Sequence, residues 1–141
     1  MSNYNVSRFV EAQANHYPAA LAEIRNGRKV SHWMWYIFPQ IAGLGMSAMS
    51  QKYAIRDLGE ASVYLQHPVL GARLVEISEA LVGLGKSDAY AVFGSPDDMK
   101  LRSSMTLFSL VPGADPVFEK VLGKFFSGEK DRKTLAIAGV D

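Results

Sequence analysis

Residues 70–84 read Leu70-Gly71-Ala72-Arg73-Leu74-Val75-Glu76-Ile77-Ser78-Glu79-Ala80-Leu81-Val82-Gly83-Leu84. Leu70, Leu74, Ile77, Leu81 and Leu84 step by 4, 3, 4 and 3, an apolar stripe on one face of a helix. Arg73, Glu76 and Glu79 fall on other faces. His67-Pro68 starts this helix, and Gly83 and Gly85 mark its end.

The same spacing recurs on both sides. Residues 8–15 read as a first helix, with Asn5 or Ser7 as cap. Tyr17, Leu21 and Ile24 line a second, started by Pro18 and stopped by Gly27. Asp57-Leu58-Gly59-Glu60 has the form of a capping box, which predicts a helix to Leu65. Ser95-Pro96-Asp97-Asp98 predicts a start, with Ser95 as cap, for a helix lined by Leu101, Met105 and Phe108. Asp115-Pro116 repeats that logic for Phe118, Leu122 and Phe125, and Gly128 stops that helix. Asp131 caps a short last helix through Ile137. No pair of alternating runs joined by a hairpin turn occurs. The expected fold class is all-α, a compact single-domain bundle of about six or seven short helices over residues 1–141.

The totals narrow the function. Lys plus Arg is 15 and Asp plus Glu is 14, so the formal charge is +1. That balance supplies no basic footprint for nucleic acid. There is no cysteine, which excludes disulfides, thiolate metal sites and cysteine nucleophiles and fits a reducing cytosol. The N-terminus has no basic region followed by an apolar run, so no secretory signal is expected and the expected compartment is cytoplasmic.

Residues 30–51 contain no charged side chain over 22 positions. A membrane span needs about 20 apolar residues. Here His32, Gln40, Ser47, Ser50 and Gln51 are polar, and Pro39, Gly43 and Gly45 interrupt the run, so no span is expected. Residues 32–38 suit either a short helix capped by Ser31 or a buried strand, and residues 41–46 read as a glycine loop.

This stretch holds the candidate chemistry. His32 can move a proton near neutral pH and stands beside Trp33 and Trp35, whose indoles can wall a pocket. The plain alternative is an aromatic core with one satisfied histidine. Gly43, Gly45 and Ser47 form a tight loop that could present backbone N–H groups to an anion, without the Walker lysine. Lys100, Ser103 and Ser104 share a helix face, and Lys100 and Arg102 can offer positive charge. A Ser-Lys catalytic motif would run in the opposite order. His16, His32 and His67 lack helical metal partners, so no metal and no cofactor is expected.

Residues 31–40 (SHWMWYIFPQ), Gly43-Leu44-Gly45, Ser50 and Tyr53-Ala54-Ile55 resemble the DUF1810 family, an uncharacterised bacterial family. The likeness continues through Glu60-Ala61, Tyr64-Leu65, His67-Pro68 and Phe93-Gly94 to residues 100–108 (KLRSSMTLF) and Thr134. It implies a mainly helical domain and no established activity. Glu60-Ala61, Tyr64-Leu65, His67-Pro68 and Gly71 also resemble a segment of the NADAR family, which implies N-glycosidase-like chemistry on ADP-ribose-type compounds.

The expectation is a small-molecule pocket where residues 32–40 meet the helix from Lys100. His32 is the candidate catalytic group. Trp33, Trp35, Gln40, Gly43, Gly45, Ser47, Tyr53, Lys100, Arg102, Ser103 and Ser104 are the candidate ligand-binding set. A nucleotide or ADP-ribose-like ligand with an anionic group fits aromatic walls and cations. Whether a reaction follows is left open, and the alternative is a non-enzymatic helical interaction module. Oligomeric state is not legible.

Overall fold

A computed structural model describes residues 4–140. Ten helices occur among them: α1 (Ser7–Gln13), α2 (Tyr17–Arg25), α3 (Met34–Ile37), α4 (Ala48–Lys52), α5 (Leu58–Gln66), α6 (Leu70–Val82), α7 (Ala89–Phe93), α8 (Asp97–Ser109), α9 (Val117–Phe126) and α10 (Arg132–Ala138). The seven longer helices are those the spacing predicts. The expected count of six or seven falls short because α3, α4 and α7 have only 4 or 5 residues. One turn is too short for a 3.6-residue period to show. Among the described residues no helix is long and apolar enough to cross a membrane.

Helix α6 is central and packs on α2, α5 and α9, and α8 packs on α5, α7, α9 and α10. Leu70, Leu74, Ile77 and Leu81 are buried, while Leu84 lies past the helix end and is half-buried. Lys124 of α9 closes that end by donating to the carbonyls of Val82 and Leu84. The turn between α5 and α6 is so tight that a Cβ on Gly71 would stand 2.0 Å from the Leu65 carbonyl oxygen.

The caps agree with the sequence in part. Asp57 accepts from the Glu60 N–H at 3.0 Å, and Asp131 from the Thr134 N–H at 3.1 Å. Glu60 does not return to the Asp57 N–H. It is 2% exposed, pairs with Arg8 at 3.1 Å and accepts from the Arg56 N–H at 2.8 Å. Ser95 does not cap α8, because Pro96 occupies that position. Ser31 does not cap α3 either. Its hydroxyl donates to Glu23 at 2.7 Å, and α3 begins after Trp33.

Candidate functional site

The uncharged stretch makes one side of the site. After α3, the Ile55 N–H donates to the Gln40 carbonyl and the Ala42 N–H donates to the Ile55 carbonyl, both at 2.8 Å. Ile41 and Ile55 thereby form an isolated parallel bridge that closes the loop carrying α4. Ser47 caps α4, accepting from the Ser50 N–H at 3.1 Å and donating to the Ser50 hydroxyl at 2.9 Å. A Cβ on Gly45 would meet the Ser50 Cβ at 2.5 Å, so the loop folds onto α4 only with glycine there.

Within this closure lies a cleft of about 120 Å³, lined by Trp35, Gln40, Gly43, Gly45, Ser50 and Tyr53 among others. A second cleft of about 220 Å³ shares Gln40, Gly45 and Ser50 and continues to Lys100 and Ser103 of α8 and to Asp131 and Lys133. The two form one groove. The Lys100 ammonium lies 5.9 Å from the Trp35 ring centre and 3.6 Å from Asp97. Asp97 also holds Lys29 at 3.0 Å, and Lys29 lies 5.1 Å from the Trp33 ring centre. Ser103 donates to Asp131 at 3.1 Å.

Seven of the expected residues therefore meet: Trp35, Gln40, Gly43, Gly45, Tyr53, Lys100 and Ser103. Five do not join them. His32 is exposed and lines neither cleft. Its position is fixed by the preceding residues: Glu23 accepts from the N–H groups of Val30 and Ser31 at 2.7 and 2.9 Å. Trp33 is 1% exposed, packed edge-on to Phe93 and bonded through its indole N–H to Glu23. It is core, not a pocket wall. Ser47 is spent on the α4 cap. Ser104 is fully buried in α8, and its hydroxyl has no hydrogen-bond partner among the described residues. Arg102 faces a neighbouring cleft of about 470 Å³ with Lys130, Arg132 and Lys133.

Burial pushes the Glu23 carboxyl up, but the donors of Ser31, Val30 and Trp33 outweigh it and hold its pKa at about 2. Tyr64 is fully buried, and that burial pushes its hydroxyl well above the ordinary value.

The residues that resemble NADAR have structural work. Glu60 is the buried partner of Arg8, Tyr64 is core, and Gly71 permits the α5–α6 turn. His67 Nδ1 accepts from the N–H groups of Val69 and Leu70 at 3.1 and 3.3 Å, starting α6.

Sequence reasoning missed three things. Asp131 and Lys133 belong to the groove, although Asp131 reads only as a cap. Ser50 lines both clefts, and only its place after the glycine loop hinted at it. A larger cavity, about 630 Å³, lies elsewhere, between α5, α6 and residues 111–115. Its walls come from segments too far apart in the chain to announce it.

The family model described as "Protein of unknown function (DUF1810)" matches residues 3–138. A search of curated proteins found no match. Among solved structures, the chain is similar to the conserved hypothetical protein Rv1873 from Mycobacterium tuberculosis, with 43% identity and a TM-score of 0.95. That match covers 99% of this chain and 100% of the other. The chain belongs to the DUF1810 family, whose function is unknown.

Proposed function

We propose that the groove binds a small molecule that combines a flat ring with an anionic group, a nucleotide or an ADP-ribose-like compound. One observation carries this reading: the Lys100 ammonium and the Trp35 ring stand 5.9 Å apart along a single groove. The ring half is lined by Trp35 and Tyr53, with the Gln40 amide to fix orientation. The polar half offers Lys100, Ser103 and Lys133 to the anion. Binding does not require His32.

The test is a thermal-shift series with AMP, ADP and ADP-ribose on the wild type and on the Trp35→Ala and Lys100→Met variants. A true ligand raises the midpoint by mass action, about 2.7 kcal/mol at a hundredfold excess over Kd. Both variants should lose that rise. No shift across the series, or a shift that both variants keep, overturns the reading.

A second reading, an interaction module, rests on exposed apolar groups around the groove. Met46 is 85% exposed, and Met99 and Ile137 are each 45% exposed. It predicts concentration-dependent association by sedimentation that Met46→Ser weakens. A monomer at all concentrations that also binds nucleotide favours the first reading.

A further inference from the structure

The groove does not end at Lys133. Lys133 and Asp131 also line the adjoining cleft of about 470 Å³, with Arg102, Lys130, Arg132 and Glu129. Four cationic side chains there face two carboxylates. Lys130 is paired outside the cleft, with Glu119 at 3.2 Å, and Arg102 has only two long ion pairs. Arg102 stands 3.9 Å from Asp131 and 3.9 Å from Glu129, beyond hydrogen-bond distance in both cases. Its Nε is buried with no hydrogen-bond partner among the described residues. Asp131 is held in place by its Oδ2, which accepts from the Ser103 hydroxyl at 3.1 Å, the Thr134 N–H at 3.1 Å and the Thr134 hydroxyl at 2.6 Å, while the Oδ1 that faces Arg102 stays 3.9 Å from it. Glu129 is 75% exposed and can leave the cleft at little cost.

A guanidinium offers five N–H donors in a planar fork that matches phosphate oxygens. An anion in this cleft would take the two terminal nitrogens of Arg102, whose nearest carboxylates stand 3.9 Å away. Lys133 lines both clefts, so adjacent anionic groups could share it.

We propose that the ligand of this groove carries two adjacent anionic groups, as a nucleoside diphosphate does, with Arg102 and Arg132 holding the second. This rests on the nucleotide reading above. Lys100, Ser103 and Lys133 meet the first phosphate, and the far cleft meets the next one.

The test is calorimetric titration of the full chain with AMP and with ADP at one fixed ionic strength. ADP should bind about tenfold tighter than AMP or better, as a charge-assisted bond implies. Arg102→Gln should shrink that gap to about twofold, because it weakens ADP more than AMP. Arg132 is exposed, so Arg132→Gln repeats the test if the Arg102 variant does not fold. Equal affinity for AMP and ADP, or a gap that survives both variants, overturns this inference and leaves the nucleotide reading standing. Binding of neither compound overturns both.

Discussion

The indole N–H of Trp33 donates to the Glu23 carboxylate at 2.9 Å, joining α2 to the start of α3. A buried indole needs such a partner, and this one also orders the backbone of Val30 and Ser31. Glu23 titrates at about 2 in the folded chain against an ordinary 4.5. Its folded value is the lower one, so its contribution is complete above 4.5 and is lost as pH falls toward 2. Glu23→Gln should lower the melting midpoint at neutral pH, and the gap to wild type should close over that acid range. A gap that stays constant there would show that the charge does not matter.

Gln13 is 1% exposed, and its amide donates to the Tyr36 carbonyl at 2.7 Å and to the Tyr64 hydroxyl at 3.0 Å. Arg73 donates to the Gln13 carbonyl oxygen at 3.3 Å. Gln13→Leu leaves these groups without their partner, at a cost of about 1–3 kcal/mol. Urea unfolding should show a lower midpoint at an unchanged slope.

Gly71→Ala places a Cβ against the Leu65 carbonyl, so the α5–α6 turn must open. The expected loss is about 1–3 kcal/mol, as for other overpacked sites. Gly123→Ala is the control, since a Cβ there meets nothing within 4 Å. It should be neutral or stabilising, because alanine is the better helix former.

Ser104→Ala removes a buried hydroxyl that has no partner among the described residues, so stability should hold or rise by up to about 1 kcal/mol. Ligand affinity should not change. A loss of binding in this variant would place Ser104 in the site, against its burial in α8.

Most of the fold is legible in the stripe from Leu70 to Leu81 and its neighbours, because one periodic face suffices to call a helix of three turns. The boundaries of α3 were not legible. Ser31 has the chemistry of a cap, but a carboxylate from α2 competes for its hydroxyl, and only the tertiary fold reveals that competition. The site shows the same division. Trp35, Gln40 and the glycine loop are close in sequence and stay together in space. His32 and Trp33 sit within three residues of Trp35, but the turn into α3 sends one to solvent and one to the core. Arg102 follows Lys100 by two residues, and on a helix that spacing points the two side chains to different faces.

Trp33 and Trp35 are the chain's two tryptophans, one sealed in the core beside Phe93 and one half-open at the groove. Intrinsic emission therefore has two separable sources. An added quencher such as iodide should reach Trp35 and spare Trp33. Loss of the core would then be read from the shielded component and occupancy of the groove from the accessible one, with no dye and no label.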